Sequence, residues 1–199
     1  VTEAAPRIAV PQVEARAWTE PAILAGGGMI ADAAQAEAAI WTQSRRDFGE
    51  DPRGLRHFLE ANPGIKWIQF PSAGIEAYTQ ANLLDTDHIW TCAKGVYSKP
   101  VAEMALALAL AGLRNLKTFS TARTWLGESG SFLHGAPVTV FGAGGIGQAI
   151  VDLLRPFECQ VTIVCRDPAR LQTTDRVLPF GSRVEALKGA RVVFLAHAL

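Results

Sequence analysis

The sequence predicts an α/β protein of parallel sheet covered by helices, divided in two near residue 99. Three observations predict it. Short β-branched or aromatic runs alternate with helical stretches along the chain, which is the signature of a parallel sheet covered by helices. A glycine-rich octapeptide, FGAGGIGQ over Phe141–Gln148, joins one such run to a helix. A long apolar helix opening near Pro100 separates residues 1–98 from residues 99–199, and the glycine-rich octapeptide lies in the second part.

The candidate strands, in order, are Arg7–Val10, Met29–Ile30, Ala39–Thr42, Lys66–Phe70, Ile89–Thr91, Val138–Phe141, Gln160–Cys165 and Arg191–Leu195. Helices are expected over Val13–Leu24, Pro52–Ala61, Val101–Ala122, Ile146–Phe157 and Ser182–Leu187. Gly26-Gly27-Gly28 reads as a helix stop and turn, because glycine takes positive φ at no steric cost and no helix start follows closely enough to make a phosphate loop. The helix after Pro100 is apolar nearly all round, and its alanines Ala105, Ala107, Ala109 and Ala111 let other backbones approach. It is expected to be buried on most sides, between domains or between subunits. Thr121–Gly135, with its run Gly127-Glu128-Ser129-Gly130-Ser131, reads as a loop.

Composition narrows the partners. Lysine plus arginine and aspartate plus glutamate number 19 each, so the net charge is zero and neither nucleic acid nor an anionic membrane is an expected partner. The apolar run Val101–Leu113 is interrupted by Glu103 and falls short of the roughly 20 residues that cross a bilayer. Cys92, Cys159 and Cys165 are an odd number without metal-ligand spacing, so no metal site is expected. They favour a reducing compartment, and no secretory signal is visible in VTEAAPRIAV, so the expected location is the cytoplasm.

The octapeptide carries the functional signal. Gly142 makes the tight turn, Gly144 lets the backbone approach a pyrophosphate, and Gly147 lets helix and strand pack closely. The N–H groups of Gly145 and Ile146 then point from the helix N-terminus at the phosphates. The next strand is expected to end on the residue that reads the adenosine ribose, where an aspartate would favour NAD. Here the position holds Cys165, followed by Arg166, whose guanidinium suits a 2′-phosphate, so NADP is favoured over NAD. Asp167 is the alternative ribose contact, which keeps NAD open as the cofactor.

Three stretches, KWIQFPSAGIEAY, GVYSKPVAEMALALALAGLR and LHGAPVTVFGAGGIGQAI, occur in an order that resembles the D-isomer-specific 2-hydroxyacid dehydrogenases, the phosphoglycerate dehydrogenase and glyoxylate/hydroxypyruvate reductase group. The resemblance runs from about Arg7 onward. It implies a flavodoxin-like substrate domain followed by the first part of a Rossmann domain, with the active site in the cleft between them. It also implies a homodimer formed through the nucleotide domain and the helix after Pro100. Carried over by position, Ala73 and Gly74 would offer backbone N–H groups to the carboxylate of a small 2-keto or 2-hydroxy acid. Val101 would lie beside the cofactor, and His197 would line the cofactor cleft.

The resemblance also implies a hydride transfer between nicotinamide and C2 of that acid, carried out with an arginine, a histidine and a carboxylate. Those three would lie in segments following the strand that ends near Leu199, so no catalytic residue is assigned in this chain. His57, His88 and His134 are placed away from the glycine turn, while Glu76 and Glu103 read as structural. The alternative is a truncated, non-catalytic dinucleotide-binding module.

Overall fold

The computed structural model describes residues 5–42 and 51–197, and the chain divides into two compact units, Val1–Lys94 and Gly95–Leu199. The division falls four residues before the expected start at residue 99, since Gly95–Tyr97 lead directly into the first helix of the second unit.

The first unit holds β1 (Arg7–Ala9), α1 (Val13–Ala25), β2 (Met29–Ile30), β3 (Ala38–Ile40), α2 (Pro52–Ala61), β4 (Trp67–Phe70), α3 (Glu76–Gln80) and β5 (Ile89–Cys92). Its strands are all parallel, in the order β2-β1-β3-β4-β5, which is the flavodoxin-like arrangement. Alternation along each strand feeds two cores. Ala9, Ala39, Ile68 and Phe70 face Leu55 of α2 and Tyr78 of α3, whereas Val10 and the half-buried Ile8, Ile30 and Ile40 face Ala15 and Ile23 of α1. Helices on both faces are what a parallel sheet requires. The triple glycine ends α1, with Gly26 and Gly28 donating their N–H groups to the carbonyls of Ala22 and Ile23, and with Gly27 at φ +81°. α3 went unread because five residues carry too little periodicity. What shapes it is tertiary, the Tyr78 ring lying 4.5 Å from the Phe70 ring.

The second unit holds α4 (Ser98–Leu113), α5 (Leu116–Thr121), β6 (Pro137–Phe141), α6 (Gly145–Leu154), β7 (Gln160–Cys165), β8 (Arg176–Pro179), α7 (Arg183–Leu187) and β9 (Val192–Leu195). The parallel order β8-β7-β6-β9 is the 3-2-1-4 order of a Rossmann sheet. α4 and α6 cover one face through Ala102, Ile150, Val151 and Leu154, and α7 covers part of the other through Ala186, against Phe141 and Val164.

Two readings of this unit are corrected. The helix expected over 101–122 is two helices. Asn115 adopts the left-handed conformation at φ 50°, which asparagine tolerates, and the N–H of Ser131 takes the Leu113 carbonyl at 2.8 Å, so a helix-ending residue and a distant loop together end α4. β8 is an additional strand with only two apolar residues between Arg176 and Pro179, the proline being tolerated because the strand is at the sheet edge. Within its own unit α4 is covered on only part of its surface. Val101, Met104 and Leu108 are 42%, 62% and 66% exposed.

Candidate functional site

The glycine turn is built by contacts that exclude a side chain. Gly142 follows the last residue of β6 at φ +104°, and a Cβ there would stand 2.5 Å from the Ala196 carbonyl oxygen and 2.9 Å from the His197 nitrogen. Its N–H donates to the Val164 carbonyl at 2.8 Å, so the turn is tied to β7 and pressed against the end of β9 at once. Gly147 is buried in the first turn of α6, where a Cβ would collide with the carbonyl oxygen of Gly142. Both glycines are thus required by the fold.

Gly144 is different. It caps α6 with φ −76° and ψ −175°, values any residue adopts, and a Cβ there would meet nothing within 4 Å. Nothing among the described residues asks for glycine at this position. The helix behind it has no side-chain cap and no acidic residue in its first turn, so the N–H groups of Gly145, Ile146 and Gly147 have no partner within the helix. A ten-residue helix with open N–H groups and no competing carboxylate favours an anion at this end.

Gly145 is exposed, but a Cβ on it would stand 2.5 Å from the Ser98 hydroxyl oxygen. The start of α4 therefore packs beside the turn, and Ser98 joins the site although sequence reading passed over it. The signal for it was the helix N-terminus itself, placed by tertiary packing alone. Val101 lies one turn further along α4, its N–H bonded to the Tyr97 carbonyl. Ile146 is half-buried and packs into the core shared with α4.

At the end of β7, Cys165 is 9% exposed and in register with Pro179, so its thiol belongs to the core edge. Arg166 follows it, exposed, and makes no ion pair among the described residues. Asp167, the alternative ribose contact, is held by Arg170 at 2.8 Å. Beneath the glycine turn, a cavity of about 310 Å³ runs between Gly142, Gly147 and Gln148 on one side and Arg170–Thr173 on the other. Its wall is fixed by Arg155, whose two terminal nitrogens donate to the Asp175 carboxylate at 2.9 and 2.7 Å, and by the Thr173 hydroxyl, which donates to the same carboxylate at 2.7 Å. Burial alone would raise the Asp175 carboxyl. The hydrogen bonds from Arg155 and Thr173, with the guanidinium's charge, outweigh that and hold it below its usual value, while the same pairing raises Arg155.

His197 lies at the end of β9, its ring edge-on to Phe141 at 6.4 Å and to Phe180 at 5.9 Å. The other histidines have local ion-pair partners: His57 with Glu60 at 3.4 Å, His88 with Asp85 at 2.8 Å, His134 with Glu158 at 3.7 Å. Ala73 and Gly74 follow β4 in the first unit, in a turn where the Ser72 hydroxyl donates to the Gly74 carbonyl at 2.9 Å and the N–H of Ala93 donates to the Ser72 carbonyl at 3.0 Å. Among the described residues no cluster of histidine, cysteine and acidic side chains could hold a metal, and no helix is long and apolar enough to cross a membrane.

A 3-2-1-4 parallel sheet whose first strand turns through glycines into an open helix end defines a dinucleotide-binding domain of the Rossmann class. Residues 104–199 match the family model for the NAD-binding domain of the D-isomer specific 2-hydroxyacid dehydrogenases. The chain is 28% identical over 151 residues to an uncharacterized protein in the proB 3′ region of Corynebacterium melassecola, covering 72% of this chain and 46% of that one. A D-isomer specific 2-hydroxyacid dehydrogenase family protein from Aeromonas salmonicida shares the fold with a TM-score of 0.79 at 18% identity, over 98% of this chain and 64% of that one. A D-isomer specific 2-hydroxyacid dehydrogenase from Xanthobacter autotrophicus, in complex with NADPH and MES, matches with a TM-score of 0.76 at 19% identity over the same shares. The chain thus spans about half the length of the curated relative and about two thirds that of the solved structures.

Proposed function

We propose that the second unit binds a nicotinamide dinucleotide, NADP in preference to NAD, and that the chain serves hydride transfer at C2 of a small 2-keto or 2-hydroxy acid. The observation that carries the reading is Gly144, an exposed helix-capping glycine for which the protein has no packing or conformational need. The missing side chain leaves room for a close-approaching ligand, and the open N–H groups behind it suit a pyrophosphate. Gly145 and Ile146 hold the phosphates, Val101 and His197 flank the bound cofactor, and Cys165 leaves the ribose without a repelling carboxylate. Arg166 is free to meet a 2′-phosphate while Arg170 occupies Asp167. When bound, the nicotinamide supplies the hydride chemistry. The main-chain N–H groups of Ala73 and Gly74 hold the substrate carboxylate. A cytoplasmic location goes with this reading, as does a homodimer closing over the exposed Met104 and Leu108 of α4.

The test is titration of the chain with NADPH and NADH by nicotinamide fluorescence. Expected are tighter binding of NADPH, a Gly144→Ala variant that melts like the parent yet binds neither nucleotide well, and an Arg166→Ala variant that loses about 10-fold or more for NADPH only. A parent chain that binds neither nucleotide would sink the proposal.

A further inference from the structure

The face of the second sheet that meets α7 carries two rows of side chains of opposite character. Phe141, Val164 and Leu178 are in register across β6, β7 and β8 and pack against Ala186 of α7. Nearer the amino ends of the same strands, on the same face, the next row is Thr139, Thr162 and Arg176. β6 and β7 are interior strands, and interior parallel strands ordinarily carry aliphatic side chains on both faces. A polar row across them needs its own cause.

Thr139 has a structural one. It is 2% exposed, and its hydroxyl donates to the Ala186 carbonyl at 2.6 Å, which ties α7 to the sheet. Thr162 has none. It is half-buried, no side chain or main-chain group among the described residues takes up its hydroxyl, and it lines a cavity of about 510 Å³ between the amino ends of β6, β7 and β8 and the end of α7. The charges around this cavity leave cations uncommitted. Asp175 already accepts from Arg155 and Thr173, and Glu185 is paired with Arg176. Arg176 gives Glu185 one terminal nitrogen and keeps its other N–H groups open, while the exposed Lys188, which lines the cavity just after α7, makes no ion pair among the described residues.

We propose that this cavity binds the phosphate group of a small metabolite, with Lys188 and Arg176 supplying charge and Thr162 a directed hydroxyl. A guanidinium, an ammonium and a hydroxyl converging from three chain segments suit the several oxygens of a phosphate. The volume exceeds that of one phosphate ion and leaves room for an organic group. The site lies at the opposite end of the strands from the glycine turn, so it does not rest on the dinucleotide reading. Its ligand would join β7, β8 and the residue after α7, and so hold α7 on the sheet.

The experiment titrates the full chain with inorganic phosphate, and then with glycerol phosphate, at constant ionic strength set by chloride. Binding is followed by backbone amide NMR shifts and by melting curves, for the parent, Lys188→Ala, Lys188→Arg and Thr162→Val. Saturable shifts at Thr162, Arg176 and Lys188 are expected in the parent, with a raised melting temperature, because a ligand of the folded state stabilises it. Lys188→Ala is expected to weaken both phosphates about 10-fold or more and Thr162→Val about 5-fold, with Lys188→Arg close to the parent. Shifts confined to Gly144–Gly147 would put the ion at the glycine turn and overturn the inference. Parent-like affinity in both Lys188→Ala and Thr162→Val overturns it as well, as does a parent chain that shows no saturable shift. Binding of inorganic phosphate with exclusion of glycerol phosphate overturns the assignment to a phosphate-bearing metabolite.

Discussion

Two turns of this molecule follow the carboxyl end of a parallel strand with small residues, and they are held by different means. After β6, Gly142 lies at φ +104° against the β9 backbone, and Gly147 lies where any Cβ would strike the Gly142 carbonyl. After β4, Gly74 lies outside the positive-φ region, and a Cβ there would meet only the Glu76 carboxylate, at 2.8 Å, on an exposed side chain that can swing away. The first turn is specified by backbone against backbone, the second by a serine hydroxyl and a short helix. Small residues in a turn therefore carry different information according to what stands opposite them. In the second unit they are a steric requirement that any sequence reader can recover. In the first they leave room without being needed for the fold.

The largest effect that would break this contrast is at Gly142. Gly142→Ala forces a Cβ onto the Ala196 carbonyl and into a backbone region that L residues rarely adopt, and it is expected to cost roughly 3 kcal/mol or more. Gly147→Ala is expected to do the same by pushing α6 off β6, since the obstacle is backbone and cannot rotate away. Denaturant unfolding of the second unit's signal measures both, and a parent-like midpoint for either would show that the turn has slack the contacts do not reveal.

A smaller effect sharpens the picture of how the site's flank is held. Asp175 has a 9% exposed side chain and accepts three hydrogen bonds, two from Arg155 and one from Thr173, which together fix the β7–β8 connection beside α6. Asp175→Ala leaves a guanidinium without its acceptor and is expected to cost about 2 kcal/mol at neutral pH, the worth of a few charge-assisted hydrogen bonds less the Arg155 head's return to water. The sign with pH follows from the depressed carboxyl: the folded state binds its proton less readily than the unfolded chain. The contribution is therefore complete above the unfolded value near 4 and is lost as pH falls through the lower folded value. The stability difference between parent and Asp175→Ala should thus shrink as acid is added. A difference that grows in acid would mean that Asp175 is not held by Arg155 in solution.

The legibility of the chain follows the same division. Strands β4, β6 and β7 and the glycine turn were readable because hydrophobic alternation, β-branching and glycine spacing are local properties. The break between α4 and α5 was not, because it is made by Ser131 and Gly130 from a loop sixteen or more residues away, against the Leu113 carbonyl. Ser98 was invisible for the same reason: it joins the turn through what the fold sets beside it, Gly145. Ala73 and Gly74 stand at the limit, since only resemblance singled them out, and the geometry of their turn has an ordinary structural cause.

The smallest expected effect is therefore the most telling. Gly74→Ala should change stability by no more than about 0.5 kcal/mol, because the backbone there suits alanine and the exposed Glu76 side chain can rotate off the new methyl. It also keeps the N–H group assigned to the substrate carboxylate, so any loss of acid binding would come from the methyl's bulk alone. A melting curve and a titration with a small 2-keto acid separate the cases. Unchanged melting with weakened binding would mean that the glycine is kept for ligand approach, the role proposed for Gly144 in the second unit. Unchanged melting with unchanged binding would place the carboxylate elsewhere on the turn. A large fall in melting temperature would erase the contrast between the two turns, since the turn after β4 would then be sterically specified as tightly as the one after β6.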